Sequence, residues 1–105
     1  MQSSSRASWS DVIKKEAKGM NDFSFGEVHS VEADFVYTEK GTISKHRFYL
    51  PKYLVRGFDG QTVWFNISES QAESEFKRDS PPSADEYAKY RPTTVVVETD
   101  GIPLI

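Results

Sequence analysis

The sequence predicts one small domain built mainly of β-strands, and three observations carry that expectation. Residues 25–38, 43–50 and 62–68 are rich in branched and aromatic side chains, the types that suit a pleated, half-buried surface. Turn signals separate them at Asn21 and Asp22, Lys40 and Gly41, and Asp59 and Gly60. The alternation within 25–38 also changes phase: Val28 and Val31 fall on opposite faces of an uninterrupted strand, so both reach a core only through a bulge or bend near His29 and Ser30. Bends of that kind are what a small curved sheet requires.

A chain of 105 residues buries about two thirds of its unfolded surface, enough for one modest core. With 28% of residues charged and 37% hydrophobic, much of the buried area must come from the seven Phe, five Tyr and two Trp. The formal net charge of -3 argues against wholesale binding to nucleic acid or anionic lipid, since both need a positive field. Cysteine is absent, which excludes disulfides, thiolate metal ligands and Cys nucleophiles and suits a reducing compartment. No apolar run approaches the roughly 18 residues of a membrane span, and the first ten residues lack the apolar core of a signal peptide. A cytoplasmic protein without membrane insertion is expected.

Taken in order, residues 1–8 are small, polar and Ser-rich, and read as a flexible leader. In residues 9–20 the apolar side chains Trp9, Val12, Ile13, Ala17 and Met20 fall at helical spacing, which by pattern alone predicts an amphipathic helix. The strand over 43–50 places Phe48 and Leu50 on one face and ends at Pro51, which has no N–H for a ladder. In the strand over 62–68, Val63, Phe65 and Ile67 face inward while Thr62, Trp64, Asn66 and Ser68 face outward. Ser68 and Gln71 form a capping box and Ile67 staples against Ala72, so a short helix over 69–77 with Phe76 on its buried side follows. Pro81 and Pro82 stop it. Ser83 and Glu86 repeat the capping pattern for a turn or two, and residues 93–99 have high β propensity before the apolar residues 102–105.

Residues 11–31 (DVIKKEAKGMNDFSFGEVHSV) resemble the opening of PRC-barrel domains. Asp11, Val12 and Ile13 match the family's start, and Gly26, Glu27 and Val28 match its second strand, which begins Gly-x-Val. Residues 48–55 (FYLPKYLV) are similar to its strand that ends at a proline and turns, and residues 63–68 (VWFNIS) to its closing strand. The likeness covers roughly residues 9–76 through short motifs that tell only in order. Where many members carry glycine after the Ile, this chain has Lys14. The resemblance implies a small all-β barrel of about six strands over 9–80, with a short C-terminal helix and a Pro-bounded extension over 81–105. It also implies a short turn at 11–13 and a strand from about 14 to 19, and these ordered matches outweigh one segment of helical period. PRC-barrel domains are found in photosynthetic reaction-centre subunits, in ribosome maturation factors and in archaeal proteins, some linked to cell division. This chain looks most like the stand-alone archaeal members, which are binding modules that often self-associate.

Enzyme signatures are missing: there is no G-x-S-x-G elbow, no phosphate-binding Gly-rich loop and no H-E-x-x-H pair. His29 and His46 are far apart, and Glu69, Glu73 and Glu75 fit a solvated helix face, so neither a metal, a cofactor nor catalysis is expected. The basic set Lys45, His46, Arg47, Lys52 and Arg56, with Tyr49 and Tyr53 interleaved, has the composition of an RNA-binding strip, although ordinary solvation of a β face explains it as well. Trp64 on the polar side of its strand has two readings. It packs under the C-terminal segment, against Tyr87, Tyr90 or the valines, or it is an exposed anchor that forms a hot spot with Tyr49 or Arg56. Val95, Val96 and Val97 face a similar choice between joining this sheet and pairing with another chain. The leading expectation is a non-enzymatic protein-interaction module that binds another protein and forms a homodimer. The alternatives are an RNA- or ribosome-associated factor and, behind it, a small-ligand carrier.

Overall fold

The computed structural model describes residues 6–83, 85–86 and 101–105. Expectations placed on residues 1–5, on Tyr87 and Tyr90, and on Val95, Val96 and Val97 lie outside the described residues. Among those described, the strands in chain order are β1 (Arg6–Ala7), β2 (Glu16–Lys18), β3 (Ser24–Val31), β4 (Phe35–Lys40), β5 (His46–Pro51), β6 (Val55–Phe58), β7 (Thr62–Phe65) and β8 (Ile102–Pro103). Six of them form one mixed sheet in the order β5-β4-β3-β2-β7-β6, with β2 and β7 parallel and the other neighbours antiparallel. The fold is therefore mainly β. The sheet is open, with β5 and β6 as its edges.

The helix that spacing predicts over 9–20 does not form. A 3-10 turn at Trp9–Val12, capped by Ser8, leads into β2, as the family resemblance implies. Trp9 and Val12 lie three apart on one turn and Ala17 is the inward residue of a short strand, so two successive elements imitate one helical period. Between them Lys14 takes a φ of 73°, the left-handed region that glycine enters without strain. The bulge expected near His29 is present: Val28 pairs with Thr38 and Ser30 with Tyr37, leaving His29 as the extra residue. This resets the alternation, so Val28 is buried and Val31 packs against the core.

Phe25 sits at the middle of that core. Its ring meets Phe23 and Phe48 edge-on at 5.4 Å and Phe65 at 6.4 Å, so β3, β5 and β7 bury side chains on one another and the sheet must curve round them. Thr38, fully buried, donates its hydroxyl to the Phe25 carbonyl at 2.8 Å. At Gly26, with φ 91°, a Cβ would lie 2.1 Å from the Glu39 carbonyl oxygen, so the close approach of β3 to β4 admits only glycine.

The strand expected over 43–50 begins later, at His46, and ends at Pro51. Residues 41–45 form the hairpin loop instead, with Ile43 97% exposed at its tip. After β7, Ser68 accepts from the Gln71 N–H at 3.1 Å and starts the expected helix, one α-helical turn (Glu69–Gln71) followed by a wider π turn (Ala72–Phe76) that buries Ala72 and Phe76. Each edge of the sheet is then met at one point by another segment of the chain. Lys77 bridges to Phe48 and the Arg78 N–H donates to the Arg47 carbonyl along β5. Leu104 bridges to Phe58 and the Ile105 N–H donates to its carbonyl along β6. Ala7 and Ile102, expected in the leader and the extension, pair as parts of β1 and β8, with Ile102 fully buried.

Candidate functional site

Alternation along β7 buries Val63 and Phe65 and turns Trp64 to the outer face, where it is partly covered rather than free. Asp59, in the turn before β7, accepts the Trp64 Nε1–H at 2.9 Å through Oδ2, while its Oδ1 accepts from the N–H groups of Gln61 and Thr62 at 2.9 and 2.8 Å. These bonds hold the Asp59 carboxyl below its ordinary value, the indole first and the two backbone groups after it. On β6 the ladder slips between Val55 and Gly57, leaving Arg56 as the extra residue. That bulge aims the Arg56 guanidinium over the Trp64 ring, 5.2 Å from its centre, and Lys18, the β2 partner of Trp64, places its Nζ 5.7 Å away. Among the described residues, neither cation is in an ion pair. Gly57 pairs directly with Trp64 and so shares its face. The Ile105 side chain occupies the space above Gly57, 66% exposed, and extends this surface with apolar area.

Tyr49 is elsewhere. It lies on β5, four strand positions from β7, or about 19 Å along the sheet. It is only 4% exposed and stacks on its cross-strand partner Tyr37 with ring centres 4.8 Å apart. The structure thus joins Trp64 to Arg56 and does not bring Tyr49 to either. Beside the tyrosine pair stands Glu39, which accepts from the Tyr37 hydroxyl and lies 3.3 Å from Lys45, 3.6 Å from Arg47 and 3.8 Å from His29. The Tyr37 bond and then Lys45 hold Glu39 below its ordinary value, and burial and that carboxylate push Tyr37 up to about 12.

The basic strip seen in the sequence is therefore divided. Lys45 and Arg47 are spent on Glu39. Lys52 lies over the Trp9 ring at 4.7 Å, with burial lowering its pKa against the opposing pull of Asp34 and Glu32. Tyr53 is 48% exposed on the 3-10 turn that follows, and Arg56 is with Trp64 on the far edge strand. A backbone-tracking groove needs contiguous free cations, and these are not contiguous.

Lys18, Tyr37, Glu39 and the second role of Asp59 were missed in sequence. Tyr37 was within reach: pairing Lys40 with His46 across the hairpin sets Tyr37 opposite Tyr49. Lys18 was not, because a parallel β2–β7 pair leaves no local signal. Among the described residues no three His, Asp or Glu side chains gather to hold a metal ion, and no helix is long and apolar enough to cross a membrane. In comparisons with known proteins, no family model and no curated protein matches the chain.

Proposed function

We infer that the chain is a non-enzymatic protein-interaction module, a cytoplasmic adaptor of the PRC-barrel kind, which engages a partner protein through the surface around Trp64. The observation that carries this reading is the fixed indole: Asp59 holds it in place, Arg56 and Lys18 flank it with no ion pair among the described residues, and exposed Ile105 adjoins it. Tryptophan and arginine dominate interface energies, and an anchor already held in its bound position loses little entropy on docking. Two free cations favour an acidic partner surface. The barrel itself is part of the reading, supported by the way β3, β5 and β7 share one core, and by Gly26 and Lys14, which stand where the family uses glycine or a glycine-like backbone. A link to archaeal cell division rests on the resemblance alone.

The partner is another protein, a second copy of the chain, or both. Because both sheet edges carry segments of the same chain, a second copy meets this surface through a face rather than by adding a strand. Light scattering over a range of concentrations, with quantitative co-purification from the source cells, tests the reading on the native chain and on Trp64→Ala. Loss of association by roughly 30-fold or more, with circular dichroism unchanged, is the result expected of a hot-spot residue. Equal association by both proteins would overturn it. The RNA-associated alternative has less support, since its candidate residues are divided among separate surroundings; salt-dependent RNA binding lost in Lys45→Ala and Arg47→Ala would restore it.

A further inference from the structure

The side of β4 and β5 away from Phe25 also carries aromatic rings, of which Phe35 and Tyr49 are 3% and 4% exposed and Tyr37 is half-buried. Alternation sends Val36, Thr38, Phe48 and Leu50 inward and leaves Phe35, Tyr37 and Tyr49 on the other side. Their rings touch, Phe35 edge-on to Tyr49 at 5.4 Å and Tyr37 stacked on it. The segment after the helix, fixed by the Arg78 N–H on Arg47, passes beside them and forms a second wall. Between the two runs a groove of about 540 Å³ with Phe35, Tyr37 and Tyr49 as its floor, Glu32 and Asp79 on its rims and Pro81 in its wall.

Two features say what the groove lacks. Tyr49 is 4% exposed, yet its hydroxyl has no hydrogen-bond partner among the described residues, and burial holds it in its protonated, donating form. Glu32 and Asp79 are in no ion pair among the described residues, whereas Arg47, the groove's cation, already faces Glu39. A ligand suited to this groove offers a carbonyl to the Tyr49 hydroxyl, apolar surface to the half-buried Tyr37 ring, and positive charge to Glu32 and Asp79.

We propose that this groove binds an extended, proline-containing peptide segment that carries an arginine or lysine. A proline-rich strand presents unbonded carbonyls and few N–H groups, so it satisfies the Tyr49 donor without burying donors of its own. It also loses little entropy on binding, being already extended. The chain supplies its own example, since Pro81 lies in the groove wall and Pro82 is buried next to it. The site is separate from the Trp64 surface and does not depend on it.

The test uses the intact chain and a fluorescently labelled synthetic peptide in which two prolines separated by two alanines are followed by an arginine. Anisotropy reads its affinity, and amide shifts from NMR read its place. Saturable binding that moves amides of β4 and β5 and spares those of β6 and β7 is expected. Replacing the peptide's prolines with alanine should weaken it about tenfold, its arginine with glutamine severalfold. Tyr49→Phe, which keeps the ring, should cost about two- to tenfold, and Glu32→Lys a similar factor. Absence of binding, binding that ignores the prolines, or shifts confined to β6 and β7 would each overturn the proposal; the first two leave the Trp64 reading untouched, and the third would move the peptide to the Trp64 surface.

Discussion

Replacing Asp59 separates the turn from the anchor it holds. In the native chain its carboxylate accepts three bonds, two from the backbone of the turn and one from the Trp64 indole. Asp59→Asn keeps an oxygen for the Gln61 and Thr62 N–H groups but sets an NH₂ where the indole N–H points, so only the third bond is lost. Asp59→Ala removes all three. The site is exposed and water replaces much of what is lost, so each bond is worth about 0.5–1 kcal/mol at the low end of its range. The expected losses are then about 0.5–1 kcal/mol for Asn and about 1.5–3 kcal/mol for Ala. Urea unfolding measures both, and a loss of 1 kcal/mol lowers Tm by about 4–8 °C in a domain this size. Because the folded carboxyl titrates below its unfolded value of about 3.9, its contribution is fully present above that value and is lost as pH falls through the lower folded pKa. The native advantage over Asp59→Asn should therefore shrink only in acid. Equal stability of the two variants, or a difference independent of pH down to the acid limit, would refute the idea that the indole bond is separable from the turn.

Lys14→Gly should stabilise the fold by about 0.5–1 kcal/mol: removing the Cβ from a residue held in the left-handed region relieves about 1–2 kcal/mol, and the added freedom of glycine in the unfolded chain returns about 0.4–1 kcal/mol of it. Chemical denaturation reads the gain, and a loss would mean that the Lys14 side chain contributes more than its backbone costs. At Glu86, whose carboxyl lies 2.7 Å from the Arg78 guanidinium, the pKa is held down to about 2 by that partner and then by the Ser83 N–H. Its contribution to stability is present above the unfolded value and disappears as pH falls toward 2, and in Arg78→Gln an NMR titration should find the carboxyl moved back toward the ordinary range. An unmoved titration would assign the shift to the Ser83 cap.

The parts of the fold that were legible in the sequence are those whose cause is local. Val28 and Val31 cannot both point inward on a regular strand, and the required bulge falls at His29. Ser68 and Gln71 announce a helix start because the cap bond spans three residues. Pro51 ends β5 because it lacks an N–H. The illegible parts depend on pairing between distant segments. Two-residue strands such as β1 and β8 have no period to detect, and their pairing joins Ala7 to Ile102 across almost the whole chain. Arg56 gave no sign of being a bulge, since the slip that aims it at Trp64 exists only against β7. For the candidate site, residue type and strand face point to Trp64 but leave Tyr49 and Arg56 as alternative neighbours; the strand order that puts Arg56 beside it and Tyr49 four strands away is not written locally.

Charge placement also bears on the proposed adaptor role. The chain is acidic overall, yet its cations are not spread evenly: one group is neutralised around Glu39, while Lys18 and Arg56, beside Trp64, make no ion pair among the described residues. The carboxylates Glu32 and Asp79, which make no ion pair among the described residues, border the tyrosine groove near the other end of the sheet. Electrostatic complementarity sets partner choice and encounter rate more than affinity, so these two surfaces would select partners of opposite charge. They are borne on strands about four positions apart, which leaves room to occupy both at once. If one copy's acidic groove met another copy's cationic face, the contact would be heterologous and, unless the rotation closed, would propagate as a filament. A symmetric dimer would instead have to place like charge against like, so the charge layout disfavours closed two-fold pairing through either face alone.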